Sequence, residues 1–195
     1  MSSSVVLLRW AVAFVALVWI LKSCVVEAFF VPSESMSPTL HVHDYILVPK
    51  FVYGLRLPFS REALLVWGAP RRGDIVVFNR ADDPDTQVEE SHENLVKRVI
   101  GLENDLVEVS SGRVYINGRA IEESYAIGAH QGEGQQFGPV KVPPGEVFVL
   151  GDNRSQSRDS RFWSYPFVKH ERIQGKVLVV YWSNFDAQRA GMVVR

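Results

Sequence analysis

The chain has a single cysteine, Cys24, among its 195 residues. No intrachain disulfide can form, and no site built on several thiolates can hold a metal. A cysteine nucleophile is also disfavoured, because Cys24 borders an apolar segment with no neighbouring base. An excess of one charge is missing too: 21 Lys and Arg stand against 22 Asp and Glu, for a net charge of -1. Nucleic-acid backbones are held through a basic excess, so no nucleic acid is expected as a partner. The histidines are few and scattered, at 41, 43, 92, 130 and 170. Only His41 and His43 would share a face, and they have no third ligand, so neither a metal nor another cofactor is expected. Internal repeats and low-complexity tracts are absent as well, and few segments beyond residue 40 carry a sustained helical period.

What is present is 47% hydrophobic and 22% charged, the balance of one globular domain plus an apolar segment. That segment runs from Val5 to Leu21, interrupted by Arg9 and closed by Lys22. A spanning helix needs about 20 apolar residues, with about 17 as the lower limit, so Val5–Leu21 spans when Arg9 snorkels to the interface. Two readings compete with it: a cleaved signal peptide with Val26-Glu27-Ala28 as its cut site, and a lipoprotein site ending Leu21-Lys22-Ser23-Cys24, against which the lysine just inside the run argues. The retained anchor is preferred. It puts a tail at 1–4 in the cytoplasm, a single-pass anchor at 5–22 in the inner membrane, and a domain at 29–195 on the extracytoplasmic side. Ser35 lies 14 residues after Leu21, so even a stretched tether keeps it within about 50 Å of the lipid.

Past residue 40, short runs rich in β-branched and aromatic residues predict strands at 45–48, 75–78, 95–100, 106–109, 114–116, 147–150 and 177–182. Asn117-Gly118 marks a tight hairpin turn. Residues 123–145, rich in Gly, Gln and Pro, read as an exposed loop. The predicted fold class is therefore mainly β, an antiparallel sheet domain with coiled loops behind one N-terminal transmembrane helix.

Three polar constellations interrupt this pattern. In Pro32-Ser33-Glu34-Ser35-Met36-Ser37-Pro38-Thr39-Leu40, the prolines bias the chain toward an extended segment, which would point Ser33 and Ser35 one way and Glu34 the other. Such serines are a nucleophile with a neighbouring donor, or turn residues bonding their own backbone. In Leu95-Val96-Lys97-Arg98-Val99-Ile100, alternation separates the two cations. Lys97 can enter an apolar environment that lowers its pKa and makes it a general base, while Arg98 stays charged and pairs with a carboxylate. The plain alternative is an edge strand protected by charge. The third constellation, Gly151 to Trp163, is a dense polar loop at a strand end. In it Asp152 is placed to pair with Arg98, Asp159 with Arg161, and Ser157 to orient an amine; solvated surface pairs are the alternative.

In order and content these segments resemble the type I signal peptidase family, the bacterial leader peptidases with a Ser-Lys dyad. Pro32–Leu40 resembles its nucleophile motif, Arg72-Gly73-Asp74-Ile75-Val76-Val77-Phe78 a structural strand motif, Lys97–Gly101 its lysine motif and Gly151–Trp163 its C-terminal motif. The resemblance implies Ser35 as nucleophile, Lys97 as general base, Ser33 in the oxyanion site and Ser157 orienting Lys97. It implies cleavage of exported preproteins after small residues of the Ala-X-Ala type, at a lipid bilayer, in apolar pockets lined by Val31, Met36, Leu40 and Leu95. Any accessory domain of larger members is reduced here to a small insertion at about 105–145. Glu34 departs from the glycine common between the two serines, Glu103-Asn104 from a common Pro-Gly, and Ser164 from a common glycine. Two other readings are a non-catalytic anchored β module and a soluble Ser-Lys autoprotease of the repressor type, though the latter would need a helix-turn-helix that is not visible. Phe29, Phe30, Phe162 and Trp163 are interfacial or core residues on this reading.

Overall fold

The apolar runs become short strands that pair antiparallel throughout. The structure, a computed structural model, describes residues 6–7, 9–14, 26–56, 63–80, 94–128 and 136–194. In chain order the first strands are β1 (Val26–Phe30), β2 (Asp44–Pro49), β3 (Gly54–Arg56), β4 (Ala63–Val66) and β5 (Ile75–Asn79). They are followed by β6 (Asn94–Gly101), β7 (Leu106–Ser110), β8 (Arg113–Ile116), β9 (Arg119–Ala120) and β10 (Phe137–Lys141). The last are β11 (Glu146–Leu150), β12 (Val168–Lys169), β13 (Ile173–Lys176), β14 (Val179–Ser183) and β15 (Met192–Val193). The anchor read over 5–22 lies mostly outside the described residues. Within it, 6–7 and 9–14 are helical, and among the described residues no helix is long and apolar enough to cross a membrane.

A five-stranded sheet ordered β12-β11-β6-β5-β13 carries Lys97 and Arg98 on its middle strand. A four-stranded sheet ordered β1-β2-β14-β15 stands beside it and carries the Pro32–Leu40 segment at the end of β1. A second four-stranded sheet, β10-β7-β8-β9, forms the insertion. Most of the strand expected at 177–182 is β14 (Val179–Ser183), while its first two residues, Val177 and Leu178, form the corner between the first two sheets. Val177 N–H donates to Ile75 O at 2.8 Å and the next amide, Leu178 N–H, to Leu47 O at 3.2 Å. The chain thus leaves one sheet and joins the other there, which a run of apolar residues does not reveal.

Three apolar clusters hold these layers. One joins Val31, Met36 and Leu40 to Ile46, Val48, Ile75, Val77 and Val180. A second gathers Val76, Phe78, Val99, Val149, Trp163 and Ile173, and a third joins the insertion to β11 through Val107, Val114, Phe148 and Leu150. Each side chain of this size contributes about 1.5–3 kcal/mol when fully buried, so β6 is fixed from both faces. The exposed loop expected at 123–145 is corrected in its last part. Phe137–Lys141 pairs with β7, because the Phe137 ring packs on Phe148 at 5.3 Å and draws a Gly- and Pro-containing stretch into the sheet. The Asn117-Gly118 turn has φ of 53° and 77° at its two residues, the geometry of the tight hairpin turn that this pair favours.

Candidate active site

The segment that follows β1 is not extended as its prolines suggested. Ser33 is extended, with φ -132° and ψ 162°, but Glu34–Met36 forms one turn of 3-10 helix. Ser37 N–H donates to Glu34 O at 3.0 Å and Leu40 N–H to Met36 O at 2.9 Å. The turn wins because it drives Met36 and Leu40, 1% and 0% exposed, into the first apolar cluster, and that burial outweighs the extended bias of the flanking prolines. The two serines meet all the same: Ser33 Oγ and Ser35 Oγ lie 3.3 Å apart. Glu34, between them, is exposed.

β6 brings the amine. Lys97 lies opposite Val76 in the β5–β6 register, is 4% exposed, and its Nζ donates to Ser35 Oγ at 2.7 Å. Ser35 itself is 7% exposed. On the other face of β6, Arg98 Nε and Nη2 donate to the two oxygens of Asp152 at 2.8 and 2.7 Å, and Nη1 donates to Gly73 O at 2.8 Å. Thr39 Oγ1 donates to Asp152 Oδ2 at 2.5 Å. Both partners of this ion pair are buried, which is tolerable only because the pair is bidentate and its remaining lone pairs and protons are used. The Tyr125 ring covers the Arg98 guanidinium at 3.9 Å. Burial, then the carboxylate of Glu123, pushes the Tyr125 phenol well above its ordinary range, so the ring remains neutral beneath the cation.

The loop after β11 is organised by its own charges. Asp159 takes Arg161 Nε at 2.8 Å and Nη2 at 2.9 Å, and accepts Gly151 N–H at 3.0 Å. Arg161 Nη2 also donates to Arg154 O at 2.8 Å, and Arg154 forms a double bond-pair with Glu123 at 2.9 and 2.7 Å. The loop reaches the serine through Asn153, whose N–H donates to Ser35 O at 3.1 Å. Gly151 fits where nothing larger does. A Cβ there would stand 2.5 Å from Ser35 O and 2.2 Å from Ser157 Oγ. Ser157 Oγ is buried and has no hydrogen-bond partner among the described residues, so it lies beside the site without bonding the Lys97 amine.

The other expected residues fall in different places. Val31, Met36 and Leu40 are buried in the first cluster, and Leu95 is half-buried against the second. Of the four aromatics read as interfacial or core, Phe30 and Phe162 are exposed. Phe29 is partly buried, and Trp163 is a core residue with the Arg80 guanidinium 3.7 Å above its ring. Thr39, Gly73 and Asn153 stand inside the quoted motifs without a role having been read for them, and Glu123 and Tyr125 lie outside those motifs; all five belong to the constellation. Their contacts are made across distances of up to 113 positions, as for Thr39 and Asp152, and carry no local signal. Among the described residues, no group of three His, Cys, Asp or Glu side chains is arranged to hold a metal ion.

A serine hydroxyl buried against a lysine amine, with a second hydroxyl alongside, is a layout that serine hydrolases use in place of the histidine-based triad. A family model described as signal peptidase, peptidase S26, matches residues 4–182. The chain belongs to that family of serine peptidases. It is 41% identical over 162 residues to signal peptidase I of Leptolyngbya laminosa, covering 83% of this chain and 71% of that protein. It is 39% identical over 162 residues to the probable signal peptidase I-2 of Synechocystis sp., covering 83% of this chain and 66% of the relative. Signal peptidase I S of Bacillus subtilis is 34% identical over 188 residues, with 90% of this chain and 89% of that one covered. A solved signal peptidase I from Enterococcus faecalis is 31% identical over 56% of this chain and 97% of its own, with a TM-score of 0.44.

Proposed function

We propose that the protein is a membrane-anchored serine endopeptidase that removes N-terminal signal peptides from exported preproteins, cutting after small residues of the Ala-X-Ala type. The observation that carries this reading is the 2.7 Å contact between Lys97 Nζ and Ser35 Oγ, made where both side chains are withdrawn from water. Burial disfavours an ammonium and so favours the neutral amine that a base must be. Lys97 takes the Ser35 proton as Oγ attacks the scissile carbonyl, and the ammonium formed then protonates the leaving amine. Water, activated by the same amine, hydrolyses the acyl-enzyme. Ser33 Oγ, 3.3 Å from Ser35 Oγ, donates to the developing oxyanion together with backbone N–H groups of the turn, one such donor contributing about 3–4 kcal/mol to barrier lowering. Ser157, whose hydroxyl has no partner among the described residues, is the group assigned to orient the amine when Ser35 Oγ is acylated. Arg98, Asp152, Asp159 and Arg161 keep the loop in place, and Val31, Met36, Leu40 and Leu95 are assigned to the apolar walls that receive small substrate side chains.

Residues 5–22 serve as the anchor on this reading, with the N-terminus inside and the β domain outside at the inner membrane. β1 begins at Val26, and four residues of any conformation span at most about 14 Å, so the sheet that carries Ser35 is tethered at the lipid surface. Pairing also favours a retained segment: β1 bonds with β2 over all five of its residues, and a cut after Ala28 would divide that strand. Ser35→Ala and Lys97→Ala should each abolish cleavage of a preprotein in detergent, whereas alanine at each histidine in turn should not. Substantial activity in folded Lys97→Ala would remove the dyad from consideration, and loss at one histidine would point to a triad instead.

A further inference from the structure

The loop from Val31 to Asp44 that bears Ser35 is closed at its base by two backbone bonds. Val31 N–H donates to Asp44 O and His43 N–H to Val31 O, both at 2.9 Å. The loop after β11 holds one flank, through Asn153 N–H on Ser35 O and Asp152 on the Thr39 hydroxyl. The other flank is held by the C-terminal segment. Arg189 Nη2 donates to Thr39 O at 3.0 Å and to Asp44 Oδ2 at 2.7 Å, while Nε reaches the same carboxylate at 3.1 and 3.3 Å. Asp44 is fully buried and Arg189 is 9% exposed, so little water competes for these bonds. The Asp44 carboxylate also accepts His41 N–H at 2.9 Å. Burial alone would raise its pKa, but Arg189, the His41 amide and Ser183 together hold it below the ordinary value.

Apolar packing independently makes the same connection. β15 pairs with β14, and it brings Val194 and Met192 onto the cluster that contains Val31, Met36 and Leu40. Arg189 and β15 themselves lie beyond residue 182, where the family match ends. We infer that Arg189 is a positioning residue for Ser35, and that the segment from Asn184 to Val194 braces the nucleophile loop independently of the Gly151–Trp163 loop. The inference rests on Ser35 being the nucleophile. Its physical basis is that the planar guanidinium can span the Thr39 carbonyl and the Asp44 carboxylate at once, whereas a lysine ammonium is a single point charge. Without the brace the loop keeps its base but not the placement of its tip, and the contact of Ser35 Oγ with Lys97 is set at that tip.

The test compares Arg189→Gln, Arg189→Lys and Ser35→Ala as full-length proteins in detergent. Each is assayed on a preprotein at a temperature where urea titration shows it folded. Arg189→Gln should lose about 10- to 100-fold in kcat, the scale of a misplacement of about 1 Å, while KM stays within about twofold. Arg189→Lys should recover stability more than kcat, because it keeps a charge near Asp44 and loses the reach to Thr39. A purely structural residue would lose activity only in proportion to its unfolded fraction. Wild-type kcat in folded Arg189→Gln overturns the brace. Should that variant not fold, wild-type kcat in Arg189→Lys does so instead. Cleavage by Ser35→Ala would overturn the nucleophile assignment itself, a separate outcome.

Discussion

Replacing Gly151 with alanine adds one methyl group where the turn that bears Ser35 meets the loop after β11. The added carbon would lie 2.5 Å from Ser35 O, 2.2 Å from Ser157 Oγ and 2.5 Å from Ser157 Cβ. An unstrained contact is about 3.5 Å, so relief toward Ser35 alone requires a movement of about 1 Å. That oxygen is also the acceptor for Asn153 N–H, so the turn cannot retreat without loosening the bond that ties it to the loop. Overpacking of this kind costs about 1–3 kcal/mol, which in a domain of this size lowers Tm by about 2–4 °C per kcal/mol. The effect on chemistry should be larger, about 100-fold in kcat, because a displacement of about 1 Å at a reacting group has that consequence. Single-turnover cleavage of a preprotein in detergent and thermal unfolding of the same preparation measure the two effects. Adding Ser157→Gly removes two of the three clashes but leaves the one at Ser35 O, so stability should return further than activity, relative to Ser157→Gly alone. Wild-type kcat in Gly151→Ala would refute the view that the placement of Ser35 O sets the position of its hydroxyl.

Two further outcomes concern charge. Arg98→Met leaves the fully buried Asp152 without its bidentate partner and should destabilise the domain by about 3–5 kcal/mol, read as a lower midpoint in urea at unchanged slope. His170 has its pKa held below the ordinary 6.5 by burial, against the opposing pull of Glu103 and Glu146. Its folded form therefore resists protonation that the unfolded chain accepts, so stability is full above about pH 6.5 and is lost as pH falls below it. Urea midpoints at pH 7 and pH 5 should differ less in His170→Gln than in the parent chain; an equal difference would mean that other groups carry the acid sensitivity.

Much of the scaffold was legible because it depends on local alternation. The strand at 95–100, which the structure extends by one residue at each end, could be read from its β-branched residues, and period two alone separates Lys97 from Arg98. Asn117-Gly118 announced its turn because few residue pairs accept two consecutive positive φ values. The turn at Glu34–Met36 was not legible, since prolines speak for extension while burial of Met36 and Leu40 depends on a cluster assembled from distant strands. Phe137–Lys141 was hidden in the same way, its strand character arising from the Phe148 ring rather than from its own composition. The pairing of Asp159 with Arg161 spans two positions and suits a local guess. That of Asp44 with Arg189 spans 145, and nothing near either residue announces the other.

The pairing of β1 with β2 has a mechanical side. Tension applied at Val26 along the strand direction loads the bridges from Val26–Pro49 to Phe30–Tyr45 in shear, as a group rather than one after another. The two bonds that close the Ser35 loop come after these bridges, at the far end of the strand. On the anchored reading proposed above, a pull from the lipid would thus be shared along β1 before it reached the hydroxyl and the amine.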